Sequence, residues 1–209
     1  MALKSGDKYA AILEAAQTVI ARQGYHSAQI SKIAAEAGVA AGTVYLYFKN
    51  KPDLLVSLFR ERLGMLIEGA RTSLTDARDA REKLRHFISQ HLRSLAARRE
   101  LAVVTQIEMR QADSSVQHEI SQIMKGYFRV IDEIIEEGQA SGLFRRSVEP
   151  LQIRNLVFGT IDQTVTAWVL SGFKFDLEAL AEPTFALITG GLCITSEGGT
   201  QKHGDSGAA

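Results

Sequence analysis

Cysteine, proline and long apolar runs are scarce in this chain, and each shortage narrows what it can be. Cys193 is the only cysteine, so no internal disulfide forms, and a small apolar role near a helix end suits it better than redox sensing. There are three prolines, Pro52, Pro150 and Pro183, and no stretch shows sustained period-two alternation between turn signals. Together these exclude a sheet-based fold and leave an all-α one. No run approaches the ~18 to 20 apolar residues of a membrane span. The N-terminus lacks the charged, apolar and small-residue succession of a secretion signal, so the expected location is the cytoplasm, off the membrane. The formal net charge is zero, and no global field draws the chain onto nucleic acid. The five histidines, His26, His86, His91, His118 and His203, include no pair at the i, i+4 spacing of helical zinc ligands. Nucleophile elbow, phosphate-cradling glycine loop and cysteine cluster are all missing. The expectation is a protein with no catalytic residue, no metal site and no cofactor.

What remains is helical periodicity and a local charge imbalance. Residues 1–60 hold seven Lys/Arg against four acids, a net of +3. Asp7 is a plausible helix cap, followed by Tyr9, Ile12, Leu13, Ala16 and Ile20 on one face until Gly24. Ser27 is placed to cap a second helix, with Ile30, Ile33, Ala34 and Ala37 inward. Gly38 supplies the positive φ of a tight turn, and a third helix, about Ala41 to Tyr47, buries Val44 and Phe48. Each is too short to stand alone, so their apolar faces must meet in a three-helix head. Pro52 then opens a long helix striped by Leu54, Leu55, Leu58, Phe59, Leu63, Leu66 and Ile67, in which Gly64 and Gly69 mark either a flexible connector or, by preference, close packing points.

The second and third helices and their corner have the surface of a helix-turn-helix that enters the major groove. There is no acid between Gly38 and Lys51. Ala41 and Gly42 permit close approach to base edges, Thr43, Tyr45 and Tyr47 offer hydroxyls, and Leu46 suits a thymine methyl. Lys51 and Lys49 are placed to grip phosphate, as are Gln29, Ser31 and Lys32 at the start of the preceding helix. With no arginine in the reading helix, specificity should lean on shape as well as contact.

These residues resemble the tetracycline-repressor (TetR) family of bacterial regulators. The resemblance rests on ILEAAQTVIARQGY, then I-x-x-IAAEAGVA, then GTVYLYFKNK with Leu54–Leu55 after it, and it covers about residues 8 to 60. One departure is Ala28, where the family usually has threonine, leaving Ser27 or Gln29 to compensate. The resemblance implies a DNA-reading head (1–52), joined by a long helix to a larger helical domain for ligand binding and dimerisation (53–195). It also implies double-stranded, palindromic operator DNA as partner, with repression as the expected outcome. A tail, 196–209, lacks any apolar period and should be disordered.

The larger domain carries IEMRQADSS, IDEIIEEGQASGLFRRSVEP and NLVFGTIDQTVTAWVLSG, which look like the fatty-acid-degradation regulators of that family. Those are released from DNA by long-chain acyl-coenzyme A, so the resemblance implies that effector. From the residues themselves, a domain rich in Leu, Ile, Phe and Met can enclose an apolar chain. Candidate walls are Phe87, Leu95, Val103, Ile107, Met124, Phe128, Phe158 and Trp168, and Arg93, Arg98, Arg99 and Arg110 could meet coenzyme A phosphates. Another hydrophobic or aromatic small molecule, such as a drug-like efflux-pump substrate, is the alternative effector. The helix from about Leu151 to Ser171 is apolar on more than one face and needs a second cover, which a homodimer supplies. Ile153, Val157, Ile161, Asp162 and Val165, with Phe185 and Ile188 of a last helix starting near Asp176, are the candidate interface.

Overall fold

In α1 (Ser5–Gln23) the apolar residues Ile12, Leu13, Ala16, Val19 and Ile20 fall on one face and are all buried. Gly24, at φ +78°, ends the helix. This computed structural model describes residues 5–108 and 114–193. Helix α2 (Ile30–Glu36) starts from Gln29, whose carbonyl accepts from the N–H groups of Lys32 and Ile33, with no side-chain cap. Ser27 is therefore not the cap. Gly38 takes φ +66° in the turn to α3 (Ala41–Val44). That helix is shorter than its periodicity suggests, because after Val44 the chain tightens into i→i+3 bonds from Leu46 to Thr43 and Tyr47 to Val44.

The junction into α4 (Lys51–Ser73) is locally over-determined. Asn50 Oδ1 accepts from the Asp53 N–H at 2.8 Å, the Asp53 carboxylate accepts from the Lys49 N–H at 2.8 Å, and Pro52 occupies the first turn. Leu54 to Phe59 are all buried, because this part of α4 is covered on several sides. Of its two glycines, Gly69 does pack closely: a Cβ there would lie 3.0 Å from the Gln90 amide. Gly64 faces open space and is no packing point.

Asp79 caps α5 (Ala80–Ala96) by accepting from Glu82 N–H at 2.9 Å, which starts the helix ahead of Glu82. Helix α6 (Arg99–Val103) widens without a break into a π-helical segment, Val104–Glu108. Helix α7 (Ser114–Ala140) packs along α4, and ion pairs Arg71–Glu133 (3.0 Å) and Lys83–Glu137 tie it to α4 and α5. Pro150 opens α8 (Pro150–Leu170), joined to α7 by Arg154–Asp132 at 2.8 Å. A 3-10 turn, Glu178–Leu180, leads into α9 (Ala181–Leu192). Among the described residues there is no strand, only an isolated bridge between Phe144 and Cys193. The architecture is all-α: a small N-terminal helix-turn-helix unit joined through α4 to a larger helical body.

Candidate functional site

The helix-turn-helix presents an unusual surface. Leu46 is 82% exposed and Tyr45 58% exposed, at the end of a helix whose other side is pinned by buried Val44 and Phe48. Exposing that much apolar surface costs free energy unless something covers it. Ala41, Gly42, Gln29, Ser31, Lys32 and Lys49 are exposed around them, and Thr43 is half-buried. Lys32 Nζ donates to Gln23 Oε1 at 2.6 Å. Tyr47 is half-buried near Tyr9 and Phe48, so it serves packing as well as surface. Lys51 is held in place: its Nζ donates to the His26 carbonyl at 3.0 Å and lies 4.6 Å from the Tyr25 ring centre. Burial lowers its pKa from the usual lysine value. Ala28 is buried, its N–H bonded to Gly24 O (3.1 Å), so a methyl fills the place of the missing hydroxyl.

A narrow cavity of about 30 Å³ lies in the body between α4, α5, the π-helical segment, α7 and α8. Its walls include Leu95, Met124 and Phe158, as expected, joined by Leu63 and Leu66 of α4. It is less apolar than expected, since His91, Thr105, Gln106, Tyr127 and Asp162 also line it. Tyr127 Oη and His91 Nδ1 share a 2.7 Å hydrogen bond, and Thr166 donates to Gln106 Oε1 at 2.8 Å. Burial pushes the His91 imidazole down to about 4 and raises the Tyr127 phenol far above its usual range, so both are neutral.

Several expected wall residues are elsewhere. Phe87 is core, its ring centre 5.4 Å from that of Tyr127, and is not among the cavity walls. Phe128 braces Phe158 edge-on, with ring centres 5.0 Å apart. Trp168 donates to the Phe175 carbonyl at 2.9 Å and packs on Phe173. Val103 and Ile107 are half-buried but do not line the cavity.

The arginines also divide. Arg98 and Arg99 share a cleft with Arg62 of α4, whereas Arg93 pairs with Glu178 at 3.5 Å, away from it. Arg110 lies outside the described residues. Asp162, expected at a dimer face, lines the cavity instead.

The residues proposed for a two-fold interface need correction. Ile153, Val157, Ile161, Val165, Phe185 and Ile188 are all buried within the single chain, so they are not available to a second copy. They form the inner stripes of α8 and α9. The outer stripes carry Leu151, Leu156 and Leu170 on α8 and Leu187 on α9, and these are the exposed apolar residues.

One structural link left no sequence expectation. The Glu108 side chain, in a residue that is 6% exposed, accepts from the Tyr25 N–H at 2.7 Å. Glu100 accepts from the Thr18 hydroxyl at 2.7 Å. The stretch from α6 through the π-helical segment therefore touches the cavity through Thr105 and Gln106 and the helix-turn-helix unit through its two acids. A buried acid inside the apolar run LAVVTQIE was the available signal.

Residues 12–58 match the family model for bacterial regulatory proteins of the tetR family, and residues 59–191 match that for the C-terminal region of YsiA-like proteins. The chain is 45% identical over 185 residues to the fatty acid metabolism regulator protein of Bacillus subtilis, covering 88% of this chain and 95% of that one. Among solved structures, the fatty acid degradation regulator FadR of Bacillus halodurans superposes with a TM-score of 0.85 at 44% identity, covering 88% of this chain and 99% of the other. FadR of B. subtilis, solved in complex with stearoyl-CoA, gives 0.85 at 45% identity, with 88% and 98% covered. The chain is a DNA-binding transcriptional regulator, not an enzyme, and belongs to the tetR family within its fatty acid metabolism regulators.

Proposed function

We propose that the protein is a dimeric cytoplasmic repressor of fatty acid degradation genes, released from a palindromic operator by long-chain acyl-coenzyme A. Residues 1–52 read the DNA and 53–195 bind the effector and the second copy; the tail from 196 lies outside the described residues. The observation that carries this reading is that one helix serves both ends. Lys51, at the start of α4, is held beside the helix-turn-helix unit by the His26 carbonyl and the Tyr25 ring, while Leu63 and Leu66 of the same helix wall the cavity. A cavity of about 30 Å³ has room for a water or two. A long acyl chain can enter only by pushing its walls apart, because packed interiors do not compress. Displacing α4 and the π-helical segment then moves the head.

Two heads reach successive major-groove faces about 34–36 Å apart, so a change in their separation weakens binding with no contact mutated. Coupling of about 1–3 kcal/mol, a 5- to 150-fold effect, is ordinary, and DNA must weaken effector binding by the same factor.

A second reading has one observation in its favour. The Asp162 carboxylate among Tyr127 and Phe158 would suit a cationic aromatic molecule better than an alkyl chain. A gel-shift titration decides between them. Long-chain acyl-CoA should release the operator and a cationic dye should not; release by the dye alone overturns the acyl-CoA reading. Tyr45→Ala and Lys51→Ala should abolish or strongly weaken operator binding in the same assay.

A further inference from the structure

Two arginines of α5 are folded down onto one buried ring of α9. The guanidinium carbons of Arg81 and Arg85 stand 5.2 Å and 4.5 Å from the centre of the Phe185 ring, a residue only 2% exposed. Attraction to the ring accounts for either arginine lying there. It does not account for both, because like charges four residues apart on a helix repel. A pocket of about 170 Å³ opens beside them, lined by Arg78, Asp79, Arg81, Glu82, Arg85 and Phe185.

The acids of this pocket are already committed. Asp79 caps α5 by accepting from the Glu82 N–H at 2.9 Å. Both Glu82 oxygens accept from Arg78, at 2.8 Å and 3.0 Å, and that pairing holds the Glu82 carboxyl down at about 2. Arg81 and Arg85 are less well served. Among the described residues Arg81 makes no ion pair, and its polar side-chain partner is the Cys193 thiol, a weak acceptor. Glu182 of α9 lies 3.4 Å from the Arg85 Nε but out of line for a hydrogen bond, so that Nε is buried with no partner. The Glu182 side chain is 63% exposed and can turn away into water.

An oxyanion held between the two arginines supplies what they lack. Its charge offsets their repulsion, and its oxygens accept paired N–H bonds from both forks. A planar carboxylate has two oxygens and serves one fork, whereas a tetrahedral phosphate has three to share between two. The pocket equals the space of about five or six waters at roughly 30 Å³ each, enough for one such group. It is also separate from the effector cavity. From Arg81 to His91, the first cavity residue on α5, is about 15 Å along the helix axis.

We propose that Arg81 and Arg85, seated on Phe185, form a phosphate-binding site that steadies the contact of α5 with α9. Its ligand is inorganic phosphate or the terminal phosphate of a small metabolite. The site goes beyond the acyl-CoA reading and does not depend on it. Since α9 carries the exposed Leu187, the anion steadies the helix that bears part of that apolar face.

The test is thermal denaturation of the full-length protein titrated with inorganic phosphate and, separately, with glucose 6-phosphate, sodium chloride keeping ionic strength constant. The variants are Arg81→Gln and Arg81→Gln/Arg85→Gln. Phosphate should raise the wild-type melting temperature saturably, by about 2–4 °C. Arg81→Gln should move the midpoint of that titration about tenfold higher, and the double variant should lose the response. Tighter binding of glucose 6-phosphate than of phosphate marks a metabolite as the source, and the reverse marks the free ion; either result supports the site. Phosphate also stabilises proteins by exclusion from their surface. A rise that is equal in wild type and both variants therefore overturns the proposal, as does the absence of a saturable rise with either ligand. Should the double variant fail to fold, the exposed Arg81 carries the test alone. Palmitoyl-CoA, followed by isothermal titration, should bind wild type and Arg81→Gln alike. A tenfold loss there would make Arg81 part of the effector's own site and overturn a separate one.

Discussion

Glu108 and His91 sit on either side of the same question, how a buried polar residue earns its place. Glu108 accepts the Tyr25 N–H, and Tyr25 in turn lies under Lys51. Replacing it by leucine removes that acceptor from a buried donor, a loss of about 1–3 kcal/mol. Glu108→Leu should therefore lower the melting temperature and also weaken the response of operator binding to effector, read by thermal melts and fluorescence anisotropy. An unchanged effector response would show that the contact is structural only.

His91 makes a different prediction. Its folded-state value of about 4 lies below the ordinary 6.5, because the half-buried ring is desolvated. Between those values the unfolded chain takes up a proton that the folded chain does not. Stability is therefore present above about pH 6.5 and falls as pH drops towards 4, by up to ~3 kcal/mol from this group. Urea denaturation at pH 7 and pH 5 should show a smaller difference for His91→Gln than for wild type; equal differences would refute the assignment. Cys193 offers no comparable switch, since burial raises its thiol away from the reactive thiolate.

At the scale of the element, α7 shows how a residue that reads as a helix terminator can be a packing device. Gly138 stands two residues before the helix ends, at Ala140, and its carbonyl accepts from the Phe144 N–H at 2.9 Å. A Cβ on Gly138 would overlap the Phe144 ring, which is fully buried. Alanine normally improves a helix interior by up to about 1 kcal/mol. Here overpacking wins, and Gly138→Ala should destabilise by about 1–3 kcal/mol in thermal or urea melts. A stabilised variant would mean that Phe144 repacks without cost. The π-helical segment is the other element whose geometry matters. Its wide turn lets Thr105 and Gln106 reach the cavity while Glu108 reaches Tyr25, just beyond α1, so it touches both ends without passing through α4.

For the whole molecule the decisive surface is the outer side of α8 and α9. Leu156, Leu170 and Leu187 are 45%, 71% and 76% exposed, apolar surface whose contact with water costs free energy unless something covers it. In the dimer proposed above, a second copy related by a two-fold axis would cover this face and set the spacing of the two heads. Leu170→Glu combined with Leu187→Glu should give a monomer by analytical ultracentrifugation. Operator affinity should collapse because one head alone loses its half-site partner. A variant that stays dimeric would place the interface elsewhere.

Much of the fold was legible in the sequence because helical periodicity is local. The stripes of α1, α4, α5 and α7, the turn at Gly38 and the proline at the start of α8 are each written within a few turns of chain. The exposed surface of the helix-turn-helix was legible for the same reason, since residues 41–51 are contiguous and their composition is unusual. Tertiary structure alone decided which side of each apolar helix faces inward. On α8, Ile153, Val157, Ile161 and Val165 look no different in type from Leu151, Leu156 and Leu170. Only the packing of α5, α7 and α9 against that helix tells core from exposed surface. The cavity and the arginine pair on Phe185 were hidden for a related reason. Each is assembled from segments tens of residues apart, and two arginines share a ring only once α9 has brought Phe185 to α5. Periodicity records which residues share a face of one helix; it holds no information about the neighbour that the face meets.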